Sequence, residues 1–262
     1  PHYDQYDVFL LQAEGQREWR IGQMCGEDTP FLKGPKIRIL ENFEESERWV
    51  LNPGDMLYLP PALAHYGIAQ GECQTYSIGF RAPALAELAP MVLDDVMDHA
   101  CDDQRYADPD LAPQATPGLI DHAAAHRLRA LLTSAISDDA RLQSILGRLM
   151  TEAKYPEHLP DSIDLPDDAN VTTLLGQAAV WQKAEFARFA YSEHPDHCCF
   201  YALGECHTLT PQSLPLVAEL ANNSQYDSET LKALIAGSDA EQLVRSLMSR
   251  QMLYNPEADY GN

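Results

Sequence analysis

Basic residues are scarce in this chain: 18 Lys and Arg stand against 40 Asp and Glu, giving a formal net charge of −22 over 262 residues. A field of that sign repels phosphate backbones and attracts basic proteins, which disfavours direct nucleic-acid binding. Long apolar runs are also missing. None approaches the ~18 residues that a membrane span needs, and no charged-then-apolar leader opens the chain. Glycine loops of the kinds that cradle phosphates are absent. Six cysteines, at 25, 73, 101, 198, 199 and 206, show no framework spacing, and the adjacent Cys198 and Cys199 suit each other poorly as disulfide partners. Reduced thiols and a soluble, cytoplasmic protein are the expectation. An initiator Met is lacking too: the chain opens at Pro1 and drops at once into a dense motif, which reads as a sequence without its natural beginning.

What is present divides by periodicity. Residues 1 to 83 are rich in strand signals. Asp7 to Gln12 and Arg17 to Ile21 flank the turn Ala13-Glu14-Gly15-Gln16 and predict a β-hairpin. Further short strands are predicted at Ile37 to Leu40, Arg48 to Leu51, Met56 to Leu59 and Thr75 to Phe80, a spacing that suits a sandwich or barrel. From residue 84 to 155 the period becomes helical, with Leu85, Leu88, Val92 and Val96 on one face, and two or three helices are expected. Pro156 to Asp168 reads as a linker. Residues 156 to 262 then combine a strand pair around His194-Pro195-Asp196 with helices near 211 to 222, 228 to 236 and 239 to 253, resembling a winged helix. The fold class expected is α+β, a partial β-helix of the cupin type followed by helices and a winged-helix-like domain.

The chemistry concentrates at the start. His2-Tyr3-Asp4 places an imidazole and a carboxylate at i and i+2, which in a strand leave one face roughly 6–7 Å apart. The run from Asn52 to His65 supplies a Pro-Gly-Asp turn, a short apolar strand, the pair Pro60-Pro61 and then a histidine, so that His65 swings back toward the same place. Two imidazoles and one carboxylate form the facial triad that holds non-haem Fe(II) and leaves three positions open, whereas a structural zinc site leaves none. His2, Asp4 and His65 are therefore the candidate metal ligands.

These residues carry a family resemblance. His2-Tyr3-Asp4-Gln5-Tyr6-Asp7-Val8-Phe9, the Gly54-Asp55, Tyr58, Pro60-Pro61 and His65 element, and the closing Tyr76-Ser77-Ile78-Gly79-Phe80-Arg81-Ala82-Pro83 resemble the bacterial Jumonji-C (cupin) ribosomal oxygenases. The close match covers residues 1 to 83; the rest agrees in layout. The resemblance implies an Fe(II)- and 2-oxoglutarate-dependent dioxygenase that uses dioxygen to hydroxylate an arginine, at C3, of a large-subunit ribosomal protein. It implies homodimerisation through residues 84 to 155, and barrel strands preceding His2. It also implies that a basic residue on the strand after His-x-Asp grips the far carboxylate of 2-oxoglutarate. Arg17 stands there, and a guanidinium fork suits a carboxylate. Thr75 and Ser77, on a strand after His65, are candidates for an accompanying hydroxyl, and Tyr3, Tyr6 and Asp7 for readers of the substrate guanidinium.

Other constellations carry less. His194, His197, Cys198, Cys199, Cys206 and His207 are soft ligands whose spacing fits no recognised zinc finger, and Cys198 and Cys199 should face opposite sides of a strand, so a hairpin with incidental ligand types is expected. His122 and His126 lie at i and i+4 but enclose three alanines and no general-base glutamate. Lys232, Arg245 and Arg250 are too few to neutralise phosphates. Two rival functions remain: a docking module for ribosomal proteins without chemistry, and a metal-dependent cupin dioxygenase acting on small molecules.

Overall fold

The computed structural model describes residues 1–109, 111–113, 116, 118–166 and 169–258. The chain forms two compact units, Pro1–Ala84 and Leu85–Asn262.

The first unit is a double-stranded β-helix of six strands: β1 (Asp7–Glu14), β2 (Arg17–Met24), β3 (Glu47–Leu51), β4 (Met56–Leu59), β5 (Leu63–Ala69) and β6 (Gln74–Phe80). They make two antiparallel sheets, ordered β4-β1-β6 and β3-β2-β5. Alternation along β1 buries Val8, Leu10 and Gln12, and β2 contributes Trp19; with Leu51 and Leu59 these form the core between the sheets.

The hairpin expected from β1 and β2 is not formed. Each strand pairs with others, and the tight turn carries the chain from one sheet to the other. Apolar alternation fixes which face of a strand is buried but not which strand lies beside it. Gly15 makes that crossing possible: its φ is +60°, and a Cβ there would stand 2.1 Å from the Glu72 carbonyl oxygen. The strand expected at Ile37 to Leu40 is reduced to a single bridge between Phe31 and Leu40. Conversely, Leu63–Ala69 forms an unexpected strand, so His65 lies within β5 rather than on a returning loop. Pro60 and Pro61 separate β4 from β5, and Ala62 turns the chain at φ +68°.

The outer face of sheet β4-β1-β6 is apolar and open, with Met56, Tyr58, Tyr76, Ile78 and Phe80 all exposed.

The second unit begins with α1 (Leu85–His99), α2 (His122–Ala135) and α3 (Asp139–Thr151). Asp121 and Asp138 cap α2 and α3 by accepting from backbone N–H groups of their first turns. Arg141 of α3 forks onto Asp95 of α1, with Nε donating to Oδ2 at 2.8 Å and Nη2 to the carbonyl at 3.0 Å. Beyond lie α4 (Val171–Leu175), β7 (Val180–Lys183), β8 (Phe189–Glu193), β9 (Cys198–Ala202), β10 (Glu205–Leu209), α5 (Leu214–Asn222), β11 (Gln225–Asp227), α6 (Ser228–Ala236), α7 (Glu241–Ser249) and β12 (Leu253–Tyr254). The strands form sheets β10-β9-β8 and β11-β7-β12. Leu175, Phe200, Leu216, Leu220, Leu231 and Leu247 are buried in the core that the helices share with them.

This is the winged-helix-like arrangement with more strands than the expected pair. Short segments such as Glu205–Leu209 carry too few residues for alternation to declare itself. Pro156 to Pro166 is tied down: Ile163 donates to the Ser249 carbonyl, and Arg245 of α7 donates to the carbonyls of Leu165, Pro166 and Ala169. Asp167 and Asp168, the end of the expected linker, lie outside the described residues. Among the described residues, no helix is long and apolar enough to cross a membrane.

Candidate metal and cosubstrate site

His2 and Asp4 do not lie on a strand. His2 forms an isolated antiparallel bridge with His65, its N–H donating to the His65 carbonyl at 3.1 Å and its carbonyl accepting from the His65 N–H at 2.8 Å. The Asp4 carbonyl accepts from the Ala62 N–H at 2.7 Å. One short segment is thus pinned against the start of β5. The outcome is that donor atoms of His2, Asp4 and His65 all lie within 4.8 Å of one another. His65 Nε2 stands 3.8 Å from Asp4 Oδ2, and the two imidazoles meet edge to face with centroids 4.3 Å apart.

His65 is prepared for a metal in two respects. Its Nδ1 lies 3.0 Å from the Leu63 carbonyl, an acceptor only, so Nδ1 carries the proton and Nε2 presents a lone pair. The ring is 3% exposed, and burial is the largest cause holding its pKa below the ordinary histidine value. The neutral, ligating form is therefore favoured. The donor set, two nitrogens and one carboxylate oxygen, matches the three-ligand side of a non-haem iron centre.

Strand register sets the second half of the site. Ile21, Trp19 and Arg17 of β2 stand opposite His65, Gly67 and Ala69 of β5, so His65 and Arg17 share one face. Four residues of strand separate their positions, about 13 Å, a gap suited to an extended arginine plus a five-carbon dicarboxylate. Arg17 Nη2 donates to the Cys73 thiol at 3.5 Å, and its guanidinium lies 5.8 Å from the Trp19 ring centre. Among the described residues, its buried Nε has no hydrogen-bond partner, nor has the indole N–H of Trp19. A buried guanidinium nitrogen left unsatisfied is costly, and an anionic ligand on this face would relieve it. The residues therefore fit a cosubstrate carboxylate as well as a metal.

Thr75 and Ser77 stand opposite Gln12 and Leu10 of β1 and share the inward face of the first sheet. Thr75 Oγ1 is already engaged, donating to the buried Gln12 side chain at 2.7 Å, whose amide in turn donates to the Glu14 carbonyl at 2.7 Å. Ser77 is exposed. Asp7 faces the other way: it accepts from the Tyr58 hydroxyl at 2.6 Å, on the side opposite buried Val8 and Leu10. Tyr3 stacks on Phe31 and donates to the Gly26 carbonyl, while Tyr6 lies against Gly79. Trp19 shares the face of Arg17, as its strand spacing predicts, while Gly67 beneath the indole went unread in the sequence. A lone glycine inside a strand is the signal of such a close approach.

Fold and site together are those of a JmjC domain. The JmjC domain family matches residues 1–88, and the ROXA-like winged-helix family matches residues 134–254. The chain thus combines a JmjC domain with a ROXA-like winged helix and is similar to proteins named as ribosomal oxygenases. Over 247 residues it is 28% identical to the ribosomal protein uL16 3-hydroxylase of Escherichia coli, covering 86% of this chain and 66% of that protein. It is 42% identical over 111 residues to a probable ribosomal oxygenase of Haemophilus influenzae, covering 42% of this chain and 26% of that one. The solved structure of the Escherichia coli ribosomal oxygenase YcfD with cobalt and 2-oxoglutarate superposes with a TM-score of 0.76 at 27% identity, over 97% of this chain and 65% of that one. The chain thus spans just under two thirds of the length of these Escherichia coli proteins.

Proposed function

We propose that this chain is an Fe(II)- and 2-oxoglutarate-dependent protein hydroxylase that acts on C3 of an arginine in a basic large-subunit ribosomal protein. The observation that carries the reading is one sheet face bearing His65, beside His2 and Asp4, at one end and, at the other, Arg17 with an Nε that is buried without a hydrogen-bond partner among the described residues. The names of the Escherichia coli relatives support the substrate class and the cosubstrate.

In this reading His2, Asp4 and His65 hold the iron, and the Leu63 carbonyl keeps the His65 proton on Nδ1. Arg17 receives the far carboxylate of 2-oxoglutarate, with Ser77 the nearer candidate for an accompanying hydroxyl because Thr75 is committed to Gln12. Iron with its cosubstrate supplies oxidative decarboxylation coupled to dioxygen use, giving succinate, CO2 and a hydroxylated C–H bond. The protein orients the target carbon, and Trp19 with the apolar inner face limits water around the reacting groups. A net charge of −22 favours encounter with a basic partner.

A homodimer cemented by the first helices accords with their surfaces, since α1 and α2 bury no residue and expose Leu85, Leu93, Met97, Leu128 and Leu132. Binding of nucleic acid by the winged-helix domain is disfavoured, because the basic groups noted there are engaged: Lys232 with Glu229, Arg250 with Glu205, and Arg245 with three carbonyls. A cytoplasmic setting follows from the ribosomal substrate class.

The test is peptide mass spectrometry of the ribosomal protein after incubation with enzyme, iron, 2-oxoglutarate and air. Gain of ~16 Da on an arginine, one oxygen from the cofactor chemistry, is expected. Binding of the ribosomal protein with neither mass gain nor succinate would instead indicate a docking module.

A further inference from the structure

A second group of metal-ligand side chains lies in the other unit, where the reading above gives it no role. His194 and His197 occupy the tip of the β8–β9 hairpin, closed by the His194 N–H donating to the His197 carbonyl at 3.0 Å. Cys199, one residue into β9, lies beneath them. One donor atom from each of the three falls within 4.8 Å of the others. Tetrahedral zinc with bonds of about 2.0–2.3 Å needs donors roughly 3.3–3.8 Å apart, so small side-chain rotations close the site.

The surroundings are those of a ligand set. The two imidazoles stack with centroids 4.3 Å apart and planes 16° from parallel. Asp196 Oδ1 lies 2.7 Å from His197 Nδ1, which leaves Nε2 for a metal and supplies the carboxylate–histidine pairing common behind zinc ligands. His194 Nε2 meets Ser192 Oγ at 2.9 Å, and that hydroxyl meets the Tyr201 hydroxyl at 2.8 Å, leaving Nδ1 of His194. Cys199 is 5% exposed, makes a long contact, 3.9 Å, with Thr208 Oγ1, and also interacts with the side chains of Tyr201 and Cys206. Its neighbour Cys198 faces the core on the opposite side of β9, so the expected alternation removes Cys198 but keeps Cys199 with the histidines. The histidines are only partly buried, which leaves an entry path.

We propose that the β8–β9 hairpin binds a zinc ion through His194, His197 and Cys199, with solvent in the fourth position. Two imidazoles with a thiolate are a borderline-soft donor set that suits zinc, whereas His2, Asp4 and His65 offer a hard carboxylate in place of the thiolate. Asp196 is a positioning residue. This assignment is independent of the oxygenase reading.

The experiment uses the full chain, reduced, carrying Asp4→Ala so that the first triad does not contribute metal. Cobalt(II) titration is expected to give a near-ultraviolet thiolate charge-transfer band with strong tetrahedral visible bands, and metal analysis one equivalent of tightly held zinc. Cys199→Ser and His197→Asn should each abolish the thiolate band or weaken zinc binding by about 100-fold, and Asp196→Asn should weaken it by about 10-fold, as lost outer partners do. His197 lies on the hairpin tip, so its variant reports even if Cys199→Ser misfolds. Absence of the thiolate band, zinc retention unchanged in His197→Asn, or a protein that isolates with Cys199 and Cys206 disulfide-bonded and takes up no zinc after reduction would overturn the proposal.

Discussion

Trp19 lies so close over Gly67 on the neighbouring strand that a Cβ at position 67 would stand 2.7 Å from two atoms of the indole ring. That contact sets the floor of the candidate site, because the same ring lies beside Arg17 on one side and 6.1 Å from the His65 ring on the other. Gly67→Ala must displace a large, 7% exposed side chain in a small core. Overpacking of this kind costs typically ~1–3 kcal/mol. Chemical denaturation is expected to show a lowered midpoint, and an unchanged midpoint would mean that the ring has room to move.

Arg17→Lys keeps the charge but loses the fork and the Nε donor. If Arg17 receives the far carboxylate, 2-oxoglutarate should bind about 10- to 100-fold more weakly, the equivalent of losing ~1.5–3 kcal/mol of charged hydrogen bonding. Isothermal titration on the iron-loaded protein without oxygen checks this. Equal affinity of the two proteins would assign the carboxylate to another residue.

Thr75→Val separates a structural from a binding role for that hydroxyl. It leaves the fully buried Gln12 without the donor to its Oε1, and an unsatisfied buried acceptor costs about 1–3 kcal/mol. The expected result is lower stability with 2-oxoglutarate affinity within about 3-fold of the parent, under the ~0.7 kcal/mol that such a factor represents. A large loss of affinity at unchanged stability would return Thr75 to the cosubstrate.

Acid should loosen the second unit through Asp239. Its carboxylate accepts from Ser213 Oγ at 2.6 Å, and from the N–H and hydroxyl of Thr210, joining the segment before α5 to the start of α7. The Ser213 hydrogen bond is the largest cause holding its pKa below the ordinary aspartate value of 3.8. With the folded pKa depressed, the stabilisation is fully present above that ordinary value and is lost as pH falls through the folded value. The group is solvent-exposed, so the effect is modest. Asp239→Ala should lower the melting temperature at neutral pH and flatten its decline at acid pH; parallel curves for the two proteins would contradict this.

The sequence revealed the parts of this molecule that rest on local chemistry. Met56–Leu59 was legible to the residue from its Pro-Gly-Asp turn and proline stop, and Ser228–Ala236 stands where a helix was expected, with Asp227 as its cap. The grouping of His2, Asp4 and His65 could be read because few other reasons place those residue types in that pattern. Pairing could not be read. β1 and β2 alternate as a hairpin would, yet face each other across the core, a choice made by which strands complete each sheet. β5 was hidden because Pro60-Pro61 and Gly67 look like breaks, though the first only separates two strands and the second admits Trp19. In the hairpin from 194 to 199, sequence spacing matched no known finger, while the fold brings both imidazoles and one thiol together.

The central claim is that His2, Asp4 and His65 hold iron with 2-oxoglutarate anchored by Arg17. The most direct measurement is the visible spectrum of the intact protein loaded with Fe(II) and 2-oxoglutarate in the absence of oxygen. A weak metal-to-cosubstrate charge-transfer band is expected, absent in Asp4→Ala and requiring more 2-oxoglutarate in Arg17→Lys. An iron-loaded protein that shows no such band, or one whose band survives Asp4→Ala unchanged, would contradict the account.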